Sequence, residues 1–244
     1  MPATLTDVPA KSTGVATAPI VSGDHAIPAL TNGDRLTRDE FERRCAAMPA
    51  DVKAELVDGR VYIVPSPVSH KNHSGPHVRA SHWIASYMEF TTGVDAGDNA
   101  TLRLDLDNEP QPDLFLRIQP ECGGQSTDDG DYVGGAPELI FEIAGSTVAY
   151  DLYEKLDAYR RNGVREYIVW TTRENELRWF ILRESRYDLL APGEDVLYRS
   201  ETFPGLWLNA QALLTGDLKG VRAAVEQGVA TAEHGEFVRR LTAK

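Results

Sequence analysis

The sequence predicts an α/β fold of the mixed α+β kind, in which helices flank a mixed β-sheet. Residues 138–144 form a nearly continuous apolar run, which is typical of a central strand covered on both faces. The next segment, 147–162, has an apolar stripe at helical spacing, and 166–170 again resembles a strand. A strand–helix–strand unit of this kind forms a parallel crossover, whereas the hairpins around it are antiparallel.

The composition is that of a globular protein with an acidic surface. The 244 residues are 42% hydrophobic and 25% charged, and they carry a net charge of −12. A chain of this length buries a sizeable core without disulfides or a structural metal. The negative charge disfavours a broad non-specific nucleic-acid surface, because such a surface needs an excess of lysine and arginine. A local basic cleft remains compatible with this charge.

The sequence also lacks the usual signals for membranes and secretion. No apolar run approaches the roughly 18–20 residues that a membrane helix needs. The N-terminus has no basic region followed by an apolar core, which disfavours a secretory signal. The two cysteines, Cys45 and Cys122, do not make a disulfide framework. These observations predict a reducing, cytoplasmic location.

The N-terminal part is predicted to hold a disordered leader, a short helix and a β-hairpin. Residues 1–31 are rich in Ala, Thr, Pro, Val and Ser and show no sustained period. Thr37 and Glu40 have the spacing of a capping box, which predicts a helix that starts there. An Asp-Gly pair between two apolar runs predicts an N-terminal hairpin over 54–64.

The rest of the chain is predicted to form one domain with a helical extension. Its domain boundaries are 32–214 for the core domain and 215–244 for the C-terminal helical extension. The further predicted elements are a helix over 76–91, strands over 102–106, 111–118, 177–182 and 187–190, and a helical region from about 209.

Two carboxylates stand out because their sequence surroundings are apolar. Glu142 interrupts the central run, and an ionised carboxylate there would cost several kcal/mol unless protonated, paired or bound to a cation. Asp113 begins a strand that is apolar on one face, so neighbouring strands would bring the two acids together. Two hard oxygen ligands suit Mg²⁺ or Mn²⁺. The structural alternative is that Glu142 pairs with a core arginine or lysine and Asp113 caps a turn.

Lys155 is predicted to lie at the same height as Glu142. Glu142 lies about three residues, or roughly 10 Å, before its strand ends. Lys155 lies about seven residues, again roughly 10 Å, into a helix that runs back along the strand. An ammonium there would orient a water and offset charge on a phosphate. The alternative is a lysine that snorkels from the edge of an apolar stripe, with Asp151 as its i,i+4 partner.

Two further groups are weaker candidates. Glu55 precedes the hairpin turn and is either a third acid of the same site or an exposed strand glutamate. Neutral imidazoles bind zinc, but the histidine spacing matches no specific zinc pattern, and Gly75 with Pro76 is predicted to interrupt a helix through the group. His70 is the member predicted to reach the acidic site. The histidines in this short span are His70, His73, His77 and His82.

Several short motifs occur in a defined order along the chain. They are Glu55–Val61, Ser66-Pro67 with His70, Pro112-Asp113-Leu114, Pro137–Ile143, Asp151 with Lys155, Tyr159, and Gly163–Tyr167. In this order the chain resembles the bacterial Uma-two family of restriction endonucleases, a branch of the PD-(D/E)XK nuclease superfamily. The resemblance covers about residues 36 to 214.

The resemblance implies a restriction-endonuclease-like fold and Mg²⁺-dependent hydrolysis of phosphodiester bonds. It matches Asp113 and Glu142 to the metal-binding acids of the family and Glu55 to an acid near the start of the core. The superfamily pattern places a lysine two residues after the second acid, where this chain has Ala144. Lys155 matches a lysine that has moved to the following helix.

We therefore predict a metal-dependent endonuclease that acts on DNA and uses Mg²⁺ or Mn²⁺. The predicted catalytic residues are Glu55, Asp113, Glu142 and Lys155, and a backbone carbonyl near Ile143 is a candidate further metal ligand. The expected partner is nucleic acid and not a membrane, and a homodimer is the candidate assembly. The alternatives are a catalytically silent binding or scaffold protein on the same fold, and a hydrolase of RNA or of a small phosphorylated molecule.

One departure from the family pattern lies directly after the second acid. The chain has Ala144-Gly145-Ser146 where relatives usually carry a small apolar residue followed by serine.

Overall fold

The computed structural model describes residues 26–49, 51–64 and 67–243. Helices within this part are α1 (Arg38–Cys45), α2 (Gly75–Met88), α3 (Lys155–Arg161), α4 (Ala210–Thr215), α5 (Leu218–Val229) and α6 (Ala232–Thr242). Two turns of π-helix, His70–Ser74 and Tyr150–Glu154, run directly into α2 and α3, and a 3-10 turn spans Pro120–Cys122. No helix among the described residues has the length and apolar character needed to cross a bilayer.

The strands of the described residues alternate with these helices. They are β1 (Ala54–Val57), β2 (Arg60–Ile63), β3 (Val94–Asp98), β4 (Leu102–Arg103), β5 (Leu114–Ile118), β6 (Thr127–Asp129), β7 (Tyr132–Gly134), β8 (Leu139–Ala144), β9 (Glu166–Thr171), β10 (Glu176–Arg183), β11 (Arg186–Leu189), β12 (Leu197–Arg199) and β13 (Trp207–Asn209).

A mixed β-sheet forms the centre of the described structure. Its strand order is β11-β10-β9-β8-β5-β3. Strands β8 and β9 are parallel, with Glu142 opposite Val169, and the other neighbours pair antiparallel. The π-turn and α3 connect β8 to β9. The predicted mixed sheet with flanking helices and a strand–helix–strand crossover is therefore confirmed.

The alternation along β8 decides which face of the sheet carries Glu142. Phe141 and Ile143 pack into the core that α2, α5 and α6 cover. Ile140 and Ala144 pack on the opposite face, together with Tyr159 of α3. Because successive side chains of a strand point to opposite faces, Glu142 faces α3.

The neighbouring strand places Asp113 on the same face. Leu114 lies opposite Phe141 in the antiparallel register of β5 with β8. Leu114 packs into the core on the α2 side, whereas Phe115 packs on the α3 side. Asp113 directly precedes β5 and lies two residues before Phe115, so it shares the α3 face.

The N-terminal hairpin forms as predicted, but the helix before it starts differently. β1 and β2 pair antiparallel, and both residues of the Asp-Gly turn have positive φ, +57° and +66°. Such values are typical of a type I′ turn. Thr37 precedes α1, yet its side chain makes no capping hydrogen bond. Glu40 instead accepts hydrogen bonds from Arg43 and Arg44, so the predicted capping box does not form.

Two strands differ from the sequence prediction, β4 of a separate three-stranded sheet (β4-β7-β6) and β3 of the central sheet. The predicted strand over 102–106 is limited to β4, and Leu106 lies exposed in the turn that follows. Strand β3, at the edge of the central sheet, was not predicted, because its sequence Val-Asp-Ala-Gly-Asp has little β propensity. β3 forms because it pairs with β5 along its whole length.

The ends of the described chain pack onto the domain. Val225 of α5 and Phe237 of α6 belong to the core on the α2 side, so the described part of the extension predicted over 215–244 is packed against the domain. Residues 1–25 of the predicted leader lie outside the described residues. Leu30, however, is buried with Phe41 and Leu56, so the packed part of the chain begins before residue 32.

We expect Leu30→Ala to lower the free energy of unfolding by about 2–5 kcal/mol, because it opens a cavity in the cluster that holds the hairpin. Leu106→Ala is the matched control, since Leu106 is 69% exposed and Leu30 only 4%. Its effect should stay within about 0.5 kcal/mol. Urea unfolding curves measure both. A loss of less than about 0.5 kcal/mol for Leu30→Ala would show that Leu30 contributes nothing to the packing.

Candidate active site

The centre of the site is the Lys155 ammonium. Lys155 Nζ lies 2.8 Å from Glu142 Oε1 and 2.9 Å from Glu55 Oε1, and all three residues are buried. Tyr159, one turn further along α3, donates its hydroxyl to Glu142 Oε1 at 3.0 Å. Lys155 thus lies at the height of Glu142, as the rise along strand and helix predicts. Burial of the ammonium and of Glu55 contradicts both the snorkelling and the exposed-strand alternatives.

The π-turn before α3 adds two side chains to this site. Tyr150 donates its hydroxyl to Glu55 Oε2 at 3.2 Å. Asp151 is buried, and its carboxylate accepts the Thr147 hydroxyl. Among the described residues, Asp151 forms no ion pair with Lys155, contrary to the predicted i,i+4 contact. The reason is the wider turn, because π-helical bonds run from i to i+5 and offset the two side chains.

Asp113 and Glu142 each contact a backbone N–H of the other's strand. The backbone N–H of Ile143, next to Glu142, donates to Asp113 Oδ2 at 2.6 Å. The backbone N–H of Asp113 lies 3.4 Å from Glu142 Oε2. The antiparallel register therefore fixes the two carboxylates side by side. This reciprocal arrangement differs from the turn-capping alternative for Asp113.

His73 reaches the acids, whereas His70 does not. His73 Nε2 lies 3.2 Å from Asp113 Oδ1, and its Nδ1 lies 3.3 Å from the carbonyl oxygen of Ile143. His70 contacts Ser74 instead, at 3.2 Å. The prediction for His70 is therefore wrong. The predicted break at Gly75-Pro76 does not occur either, because the pair forms the first turn of α2, where proline is tolerated, and the π-turn His70–Ser74 leads directly into it.

The site contains more negative than positive charge. We call Glu55, Asp113, Glu142 and Asp151, each less than a tenth exposed, the acid cluster. Burial disfavours the charge on Lys155, but the surrounding carboxylates more than compensate and raise the pKa of Lys155 well above its ordinary value. Burial also raises the pKa of Glu142, and the neighbouring carboxylates act in the same direction while Lys155 opposes them. One ammonium thus does not neutralise the four acids.

The pKa values of two other groups in the site are also raised. Burial, opposed by Lys155, raises the pKa of Asp151 from 3.8 to about 6. The hydrogen bond to Asp113 raises the pKa of His73, against the effect of burial. The shift of His73 shows that the acid cluster favours a nearby positive charge, and a cation would satisfy the same electrostatic demand.

The donor set fits a hard divalent cation. Asp113 and Glu142 offer adjacent carboxylate oxygens, and the Ile143 carbonyl lies beside them. Within the described ranges, no three His, Cys, Asp or Glu side chains converge as a ready-made metal site. This is compatible with Mg²⁺, which binds through one or two carboxylates and keeps several waters.

Comparisons with known proteins agree with the motifs. The model of the Uma2 family, described as "Putative restriction endonuclease", matches residues 38–211. A crystal structure of "a putative nuclease belonging to DUF820" from Anabaena variabilis ATCC 29413 superposes with a TM-score of 0.52 at 14% identity. It covers 78% of this chain and 99% of that one, and the restriction-endonuclease-like fold is confirmed. No curated protein matches the chain.

The raised pKa of Asp151 predicts a pH-dependent stability difference. The native state keeps a proton on Asp151 between about pH 4 and 6 that the unfolded state releases, so the contribution of Asp151 to stability falls as pH rises through this window. Relative to wild type, Asp151→Asn should gain about 3 kcal/mol between pH 4 and 7. Denaturant unfolding at several pH values measures this, with Asp131→Asn on the exposed surface as control. A difference that stays constant with pH would contradict the prediction.

Proposed function

The chain belongs to the Uma2 family, described as "Putative restriction endonuclease", as its motifs predict, and on that basis we propose that it is a divalent-metal-dependent endonuclease acting on DNA. The observation that carries this proposal is the buried Lys155 ammonium bound to Glu142, next to Asp113. Two acids and a lysine at one end of a mixed sheet are the groups that metal-assisted phosphodiester hydrolysis needs.

Asp113, Glu142 and the Ile143 carbonyl would hold the metal. A cation bound there would supply Lewis-acid chemistry, polarising the phosphate and making a water a better nucleophile. Neighbouring groups orient the two carboxylates for this role. The N–H of Ile143 orients the Asp113 carboxylate, and the Tyr159 hydroxyl fixes Glu142 Oε1.

Lys155 positions the attacking water and offsets charge on the phosphate. An ammonium has three donors, and contacts to Glu142 and Glu55 occupy two of them. No third hydrogen-bond acceptor contacts the ammonium within the described part of the chain, which leaves one donor for a water or a phosphate oxygen. Glu55, which also accepts from Gln111 N at 2.7 Å, holds the ammonium in this orientation.

DNA is the proposed substrate because it is the substrate that the family description, "Putative restriction endonuclease", suggests. The net charge of −12 restricts phosphate contacts to a local surface. Lys71 lies on the same π-turn as His73, two residues before it, and its side chain is exposed. It is therefore a candidate for a phosphate contact. Few cationic contacts imply that binding weakens only modestly as salt rises.

A catalytically silent binding protein is the second candidate. It is favoured by the acidic net charge and by the contacts of Lys155, which would also serve a purely structural ion pair. Measuring the effect of Lys155 on rate separates the two candidates.

We expect the protein to cleave plasmid DNA in the presence of Mg²⁺ or Mn²⁺. Lys155→Met should lower the cleavage rate by roughly 10²–10³-fold, the usual effect of losing one electrostatic donor. This variant loses stability as well, because the acid cluster keeps its carboxylates without a counter-charge. Rates are therefore compared below the melting temperature of every variant. Lys219→Met, on the exposed side of α5, is the matched control and should cleave at the wild-type rate.

Parallel assays on single-stranded RNA and on a small phosphodiester distinguish the substrate classes. Cleavage of RNA but not of DNA would show that RNA is the substrate and would contradict the proposal of DNA. Equal metal-dependent rates for wild type and Lys155→Met would contradict the role of Lys155. No metal-dependent cleavage of any substrate by wild type would favour the binding protein.

Metal binding is testable without activity. Mn²⁺ should stabilise the wild type, because it relieves repulsion between Asp113 and Glu142, by about 2.7 kcal/mol at one hundred times its dissociation constant. Asp113→Ala should lose most of this gain. Thermal melts with and without millimolar Mn²⁺ measure both proteins. Equal shifts would place Mn²⁺ at some other site.

A further inference from the structure

The face of the N-terminal hairpin that carries Glu55 extends from the acid cluster to the protein surface. In the antiparallel register of β1 with β2, Glu55 lies opposite Tyr62. Directly opposite residues project their side chains to the same face, so Tyr62 lies on the side of the hairpin that faces the site. Leu56 and Val61 project to the other side, where they are buried with Phe41 of α1. The proposed mechanism uses Glu55 but not Tyr62.

Two aromatic rings connect the Lys155 ammonium to the surface of this face. Lys155 Nζ lies 5.2 Å from the centroid of the Tyr150 ring, whose hydroxyl donates to Glu55. The Tyr62 ring packs on Tyr150, with 4.2 Å between the centroids and 34° between the ring planes. Tyr62 is partly exposed. A surface aromatic ring therefore lies one ring away from the group that is proposed to bind the phosphate.

Cationic side chains flank Tyr62 along the same face. Residues two apart in a strand project to one side, at a separation of roughly 7 Å. Arg60 lies two residues before Tyr62, and Lys53 lies two residues before Glu55, where the hairpin ladder continues. Arg35 forms an antiparallel bridge with Arg60, which adds a second guanidinium at that end. All three cationic residues are exposed. We call them, together with Tyr62, the hairpin face.

Neighbouring acids do not neutralise these cations. Arg35, Arg60 and Lys53 form no ion pair within the described part of the chain. The acid of the hairpin turn, Asp58, binds Arg161 of α3 instead, and Arg35 donates only to the Asp58 backbone oxygen, at 3.4 Å. On a chain with a net charge of −12, three unpaired cations on one face form a local surface that attracts anions.

We propose that the hairpin face binds an unpaired strand of DNA, with one base stacked on Tyr62 and with phosphates on the cations beside it. Proteins bind single strands through this combination of cationic and aromatic side chains. A base inside a continuous duplex has both faces covered by its neighbours and is inaccessible to such a ring. The inference rests on the proposed endonuclease function. It narrows the substrate to DNA with a single-stranded segment, such as a gap, a flap or a melted region.

Fluorescence anisotropy tests this binding without any cleavage. The probes are a labelled oligothymidylate of about 15 nucleotides and a duplex of the same length, both in EDTA. The wild type should bind the single strand more tightly than the duplex. Tyr62→Ala should weaken single-strand binding roughly 10–100-fold, the usual effect of losing one stacked base. Tyr62→Phe keeps the ring and should bind as the wild type does.

A second surface tyrosine provides the matched control for Tyr62. Tyr132 of β7 is 43% exposed, and the Arg103 guanidinium lies 4.4 Å from its ring centroid, but it lies outside the hairpin face. Tyr132→Ala should therefore leave the affinity for both probes unchanged.

The salt dependence tests the cations independently of Tyr62. Each phosphate contact to a single strand contributes about −0.7 to the slope of log K against log salt, so three contacts give a slope of about −2. Arg60→Met should reduce the magnitude of this slope by about 0.7. Arg239→Met, on the exposed side of α6, is the control and should keep the wild-type slope. An unchanged slope in Arg60→Met would show that Arg60 contacts no phosphate and would overturn its place in the proposal.

The outcomes separate this inference from the function on which it rests. If the wild type prefers the duplex, or if Tyr62→Ala binds the single strand as tightly as the wild type, the hairpin face is not the binding surface. Metal-dependent cleavage of DNA by the wild type would still support the endonuclease in that case. Single-strand binding that depends on Tyr62, without cleavage of any DNA in Mn²⁺, would support the hairpin face and contradict the endonuclease.

Discussion

The contact of the Lys155 ammonium with Glu142 and Glu55 holds three parts of the structure together. Glu142 lies in the central strand, Glu55 in the N-terminal hairpin and Lys155 at the start of the crossover helix. None of these charges tolerates burial alone, because an unpaired buried ion costs several kcal/mol. The ion pairs of Lys155 therefore keep the N-terminal hairpin, which carries Glu55, packed beside strand β8, which carries Glu142. The same constraint leaves the cluster with excess negative charge, which is the property that a metal site requires.

Two turns of π-helix position the other side chains of the site around Lys155 and the acid cluster. The turn before α3 directs Tyr150 to Glu55 and moves Asp151 out of line with Lys155. The turn before α2 directs His73 to Asp113 and Ile143. Such turns insert a residue into a helix and are frequent at functional sites. In this chain they aim side chains from two helices at one end of β5 and β8.

Sequence reasoning located the acids and the lysine because each depends on regular geometry. Glu142 is visible as an acid in an apolar strand, and the rise per residue of strand and helix brings Lys155 to its height. Regular geometry also explains what was missed. A π-turn leaves no periodic signal, so His73 was passed over for His70, and strand β3 depends on pairing with β5 rather than on its own residues. The burial of Leu30 is likewise a tertiary effect, since a single leucine in a polar segment shows no pattern.

The central claim is that the acid cluster with Lys155 forms a metal-assisted active site rather than a structural ion network. The most direct measurement is an anomalous difference map from crystals soaked in Mn²⁺. The account predicts a peak within about 2.5 Å of carboxylate oxygens of both Asp113 and Glu142, with Lys155 still in contact with Glu142. Well-ordered crystals that show no peak there, or a peak only at surface acids, would contradict it.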